Sequence, residues 1–195
     1  MKSIYKFLNI SNHKKLSEEV YDYLGKRTKL LSNSQPIFFT DLDVKDVIKN
    51  VRSVREFLAR HNLVAKRFMI IMVPPGNQTQ NLHFDRLKPY VRILWPIRNC
   101  QSTTTKFFNS DPAKARIEYL ENKIPYYVPG DFLTSSKIDQ FNLTQPLVFD
   151  SSVAHSVHTA SDVTKTRISF SIGFEENLII SQSVDSWSNF HSEIQ

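Results

Sequence analysis

A chain of 195 residues that is 41% hydrophobic and 12% aromatic carries enough apolar material for one packed core, which excludes intrinsic disorder. Its 4 glycines form no Gly-rich phosphate loop, and the single cysteine, Cys100, excludes a disulfide framework and a thiolate metal cluster and fits a reducing cytoplasm. The formal charge of +6 is scattered, with Lys14-Lys15 and Lys26-Arg27 the nearest approach to clusters, so it does not mark the dense basic stripe of a dedicated nucleic-acid binder.

Met1 to Ile10 has an apolar part too short for a signal peptide, and no later run reaches the roughly 20 apolar residues of a membrane span. No repeat, low-complexity tract or linker divides the chain. A single domain over 1–195 is expected, with a helical buttress over 1–62, a β-rich core over 63–180 and a tail over 181–195. Leu16, Val20, Tyr23 and Leu24 recur at helical spacing on one face, with Ser11 or Asn12 as cap and Gly25 at the stop. A second helix is predicted to start at the N-cap Asp43 and to bury Val44, Val47, Ile48, Val51 and Leu58.

From Leu63 the texture changes. Strand-like runs appear at 68–73, 91–97, 103–108, 126–128, 146–149 and 167–174, and Asp111-Pro112 predicts a short helix between them. Helices first and many short strands after predict a helix-buttressed sandwich or barrel, and not alternating βαβ units. The last strand alternates with period two: Ile168, Phe170, Ile172 and Phe174 make an apolar face, and Arg167, Ser169 and Ser171 a polar one. Such a strand can line a barrel that holds a charged ligand. Taken alone, it reads more simply as a surface strand with its polar face in water.

The chemistry concentrates in two places. In His83-Phe84-Asp85, residues two apart on a strand point the same way, so an imidazole and a carboxylate can reach one ion. Two histidines and a carboxylate on one face of Fe(II) leave three coordination positions open. The tripeptide alone is weak, because His-x-Asp is common by chance. The second place is the stretch from Pro146 to Val157, which contains His155, followed by Arg167-Ile168-Ser169; the histidine precedes the arginine by 12 residues, with turn-forming residues at Thr159 to Asp162 between them.

His83-x-Asp85, the distal His155 and Arg167-x-Ser169 together resemble, in order and spacing, the Fe(II)/2-oxoglutarate-dependent oxygenase superfamily. The stretch PLVFDSSVAHSV looks like the distal-histidine strand of its aspartyl/asparaginyl β-hydroxylase and prolyl-hydroxylase-like branches. The resemblance covers roughly Leu82 to Phe174. It implies an α+β, mainly β fold, a double-stranded β-helix or jelly roll with iron at the open end. It further implies that His83, Asp85 and His155 bind Fe(II), that Arg167 and Ser169 hold the distal carboxylate of the co-substrate 2-oxoglutarate, and that O2 is the oxidant. The implied reaction hydroxylates an unactivated C–H bond and releases succinate and CO2. A peptide or protein side chain or a small metabolite is the favoured substrate class, with a nucleobase also open and no membrane partner.

Rival placements remain open at this level. His158, three residues beyond His155, competes as third ligand, although the pattern favours His155. A non-oxygenase jelly roll that binds a metal or another ligand, using His83, His155 and His158, is the alternative function; Arg167-x-Ser169 speaks against it, because a plain metal-binding barrel needs no buried arginine. His13, His61 and His191 fall outside the core and read as ordinary histidines. Arg92 is either a basic residue near the co-substrate or a solvent-facing arginine. Thr105, Phe107 and Trp95 line the pocket or fill the core, with core favoured for the aromatics. The tail, with Trp187 and Phe190, suits a lid, a dimer contact or a frayed end.

Overall fold

The computed structural model describes residues 3–27, 38–75, 79–119, 125–131, 133–160, 162–174 and 191–192. In chain order these form β1 (Tyr5–Phe7), β2 (Asn9–Ile10), α1 (His13–Gly25), β3 (Phe38–Leu42), α2 (Val44–Asn50), α3 (Arg52–Arg60), β4 (Ala65–Val73), β5 (Thr79–His83), β6 (Val91–Arg98) and β7 (Thr103–Asn109). A 3-10 turn at Pro112–Lys114 follows, then β8 (Arg116–Tyr119), β9 (Pro125–Val128), β10 (Ser136–Asn142), β11 (Leu147–Asp150), β12 (Ala154–Thr159), β13 (Arg167–Phe174) and β14 (His191–Ser192).

Two antiparallel sheets face each other. The larger runs β1-β11-β6-β13-β4-β3 and the smaller β10-β7-β12-β5. From β4 to β7 and again from β10 to β13, successive strands switch sheets, which is the winding of a double-stranded β-helix. β8 and β9 form a separate hairpin arm, tied to the end of β5 through a bridge between Phe84 and Tyr127. The remaining pair, β14 with β2, is the one part of the tail within the described residues; Trp187 and Phe190 lie outside them.

The helices form where periodicity predicted them. In α1, Leu16, Val20, Tyr23 and Leu24 are all buried. Asn12 occupies the N-cap position without a side-chain cap hydrogen bond. Asp43 does cap α2, its carboxylate accepting from the Asp46 N–H at 2.7 Å. The second predicted helix is in fact two, broken at Val51, which is extended at φ −112° and ψ 95°. The break lets Glu19 of α1 accept from the freed Ser53 N–H at 2.8 Å, and it turns Val54, Phe57 and Leu58 toward the core. The first 62 residues also supply strands to the larger sheet, β1 against β11 and β3 against β4, so they are more than a helical buttress. Short strands such as β1 carry too few residues for a period to show.

Every residue of β13 is buried, which overturns the reading of it as a surface strand. The helices explain this. α1 and α3 pack on the outer face of the larger sheet, where Phe57 meets Trp95 edge-on at 5.1 Å and Phe68 stacks on Phe170 at 5.2 Å. Trp95 donates its Nε1–H to the His13 carbonyl, and Ser17 donates its Oγ–H to that of Pro96. The apolar face of β13 joins this layer, so its polar face can only turn into the barrel. Inside, a second apolar group of Leu94, Phe107, Phe141, Leu147 and Phe149 packs between the two sheets. Trp95 and Phe107 are thus core, as favoured from sequence.

Candidate metal centre

β5 and β12 are neighbours in the smaller sheet, and their register sets His83 directly opposite His155. Both rings face the barrel interior, with centroids 4.4 Å apart. Asp85 lies just past the end of β5, anchored by its own N–H donating to the Ser151 carbonyl at 3.1 Å. Its Oδ1 is 3.6 Å from His83 Nε2 and its Oδ2 is 3.7 Å from His155 Nε2. Ligand atoms of the three residues all lie within 4.8 Å of one another, close enough to share one ion.

The ring tautomers follow from backbone contacts. His83 Nδ1 is 2.8 Å from the Asn81 carbonyl and His155 Nδ1 is 2.8 Å from the Val153 carbonyl. A carbonyl only accepts, so each Nδ1 carries a proton, and Nε2 is the ring atom turned toward Asp85. The Gln80 amide nitrogen lies 2.9 Å from His83 Nε2. Burial, then the neighbouring His83, pushes His155 down to about 4, against the opposing pull of Asp85. Burial alone would raise the Asp85 carboxyl; Arg92 and the two imidazoles instead hold it well below the usual carboxylate range. Two imidazoles presenting Nε2 and a carboxylate held ionised make up a donor set that suits a divalent transition metal.

His158 is not part of this cluster. It lies on the other face of β12, its Nε2 2.7 Å from Ser156 Oγ, while His155 and Val157 line the cavity. A three-histidine site is therefore not assembled. His13 bonds the Ile10 carbonyl at the start of α1, and His61 packs on Phe57.

The cavity beneath the triad measures about 240 Å³. Arg167 reaches it from β13 while 2% exposed, and its Nε has no hydrogen-bond partner. Burial pushes its guanidinium down, partly offset by contact with the Cys100 thiol. Ser169, on the same face of the strand, is fully buried and its Oγ is also without a partner. Arg92 lines the cavity from β6 and is buried, with Nη1 3.5 Å from Asp85 Oδ2, so it is not solvent-facing. Thr105 lines the cavity as well. Sequence reasoning did not find Gln80 or Arg67, and Tyr126 was placed only on a strand. Their roles come from which strands meet at the open end, and no local pattern signals that.

No family model matches the sequence, and no curated protein matches it. Solved structures do. HygX from Streptomyces hygroscopicus, with nickel and 2-oxoglutarate bound, superposes at a TM-score of 0.55 with 13% identity over 91% of this chain and 84% of that one. The epimerase SnoN in complex with Fe3+, alpha ketoglutarate and nogalamycin RO gives 0.52 at 10% identity, over 88% and 78%. The alpha ketoglutarate dependent carbocyclase SnoK from nogalamycin biosynthesis gives 0.55 at 7% identity, over 88% and 79%. At these identities the likeness is one of architecture: the chain has the double-stranded β-helix fold of Fe(II)/2-oxoglutarate-dependent oxygenases.

Proposed function

We propose that this protein is an Fe(II)- and 2-oxoglutarate-dependent dioxygenase that hydroxylates an unactivated C–H bond of a peptide or protein side chain or of a small metabolite. The observation that carries this reading is the pairing of the triad with Arg167 in one cavity, with Ser169 two residues on along the same face of β13; both of these side chains hold buried polar atoms that nothing in the fold satisfies. Buried polar groups are nearly always paired, so two orphans side by side speak for an oxyanion that the protein waits to receive.

His83, Asp85 and His155 would hold the iron through Nε2, a carboxylate oxygen and Nε2. The bound iron, with O2 and 2-oxoglutarate, supplies the oxidising power, releasing succinate and CO2. The protein's own part is positional. The Asn81 and Val153 carbonyls keep the two lone pairs aimed, Arg92 keeps Asp85 ionised, and Arg167 with Ser169 orients the distal carboxylate of the co-substrate. Likeness to HygX, SnoN and SnoK supports the co-substrate and the metal chemistry. The lone buried Cys100 suits a reducing, cytoplasmic setting.

Anaerobic protein mixed with Fe(II) and 2-oxoglutarate should develop the visible charge-transfer band of the chelated co-substrate. Asp85→Ala should lose it through lost iron. Arg167→Ala should still bind iron but require at least tenfold more 2-oxoglutarate, the order expected for removing a charge-assisted, bidentate contact. Iron binding without the band in wild type would leave a plain metal-binding jelly roll.

A further inference from the structure

The end of the barrel that carries Asp85 also carries three arginines. Arg67 on β4, Arg86 just past Asp85 and Arg92 on β6 frame a recess beside Tyr90 and Gly173, and Arg67 and Arg92 line the main cavity as well. The three differ in how their charge is met. Arg67 donates from Nε and Nη2 to both oxygens of Asp41, at 2.6 and 3.0 Å. Arg86, at the solvent edge, lies 5.2 Å over the Tyr90 ring. Arg92 is only 6% exposed, its Nε has no hydrogen-bond partner, and its one ion pair among the described residues is the 3.5 Å approach to Asp85.

Asp85 is an incomplete partner, because the two imidazoles share its carboxylate and a bound metal would claim it further. A guanidinium taken out of water is costly unless its donors are met, so the recess lacks one negative group. The wall beside it is firmly built. Tyr90 donates its hydroxyl to the Phe174 carbonyl at 2.8 Å, and a Cβ at Gly173 would come within 2.8 Å of that hydroxyl, so this glycine admits the ring. Arg92 pairs with Gly173, six residues along β13 from Arg167, or about 20 Å at the rise of a strand. The two buried arginines therefore enter the barrel from opposite ends, and an anion seated on Arg167 leaves Arg92 unmet.

We propose that the main cavity, where Arg92 and Arg67 line its wall beside this recess, binds an anionic group of the primary substrate, a carboxylate or a phosphate- or sulfate-type oxyanion, with Arg92 as its main contact and Arg67 alongside. That the anion belongs to the oxygenase substrate rests on the function proposed above; the anion site itself does not.

The test follows arginine Nε–H resonances of 15N-labelled protein loaded with zinc(II) and N-oxalylglycine, an unreactive analogue of 2-oxoglutarate. Sodium sulfate and sodium acetate are titrated in against chloride at constant ionic strength. A saturable shift of the Arg92 and Arg67 signals is expected, and in the variants the Arg67 signal should report binding weakened more than about tenfold in R92Q and less in R92K. Tighter sulfate binding would point to a phosphate or sulfate ester, tighter acetate binding to a carboxylate. No saturable shift, an undiminished shift of the Arg67 signal in R92Q, or displacement of N-oxalylglycine by sulfate would overturn the proposal. Failure of wild type to bind N-oxalylglycine would instead sink the oxygenase reading, and the same titration on zinc-loaded protein would still decide the anion site.

Discussion

Ser169 and His155 show how single side chains are held in states that water would not choose. The Ser169 hydroxyl is buried with no partner, so Ser169→Ala removes a group that the ligand-free fold does not use. Its unfolding midpoint should stay level or rise, while the dissociation constant for 2-oxoglutarate should increase by about fivefold to tenfold, read from the charge-transfer titration. A structural role for the hydroxyl would lower the midpoint and leave the titration unchanged. His155 is pushed down to about 4, mainly by burial, from an ordinary value of 6.5. Between those values the unfolded chain takes up a proton that the folded chain refuses. The resulting stability is complete above about pH 6.5 and is lost as pH falls toward 4, by at most about 3 kcal/mol. Urea unfolding of metal-free protein near pH 7 and near pH 5 should show the loss, and His155→Gln should flatten it. An equal slope in the variant would remove His155 as the cause.

At the level of elements, the break between α2 and α3 and the burial of β13 share one origin, the need to cover the outer face of the larger sheet. α2 is a single short stretch, Val44–Asn50, and draws much of its definition from its cap. Asp43→Ala should cost about 1 kcal/mol in urea unfolding, with native metal binding kept. A cost near zero would mean that packing alone sets the start of α2. In β13, Phe170 is fully buried and stacked on Phe68, and Phe170→Ala should cost about 3–5 kcal/mol by creating a cavity between sheet and helices. A loss below 1 kcal/mol would mean that this layer collapses easily around the gap.

Across the whole molecule, the site joins parts distant in sequence. The triad comes from β5, β12 and the turn past β5 in the smaller sheet, while Arg167 and Ser169 come from the larger. A metal and a co-substrate bound together would tie the two sheets across the cavity. Zinc(II) with 2-oxoglutarate at about a hundred times its dissociation constant should add about 2.7 kcal/mol, and raise the melting temperature by roughly 5–10 °C for a chain of this size. EDTA should reverse the shift, and Arg167→Ala should keep only the part due to metal. A full shift in that variant would show that the co-substrate binds without the arginine.

Local pattern alone determined a good deal. The faces of α1, the cap at Asp43, the span of β13 and the spacing of His83, Asp85, His155 and Arg167 were legible because each depends on neighbours in sequence. β10 escaped notice because six of its seven residues are exposed, which leaves no hydrophobic alternation to read. Only the tertiary structure decided between His155 and His158, because the two face opposite sides of β12 and which side meets the cavity is set by the sheets around the strand, not by its own alternation. It alone turned the polar face of β13 inward, since that depends on helices more than a hundred residues away. It also put Arg92 beside Asp85, because a charged side chain's burial is set by the strands around it and not by its own segment.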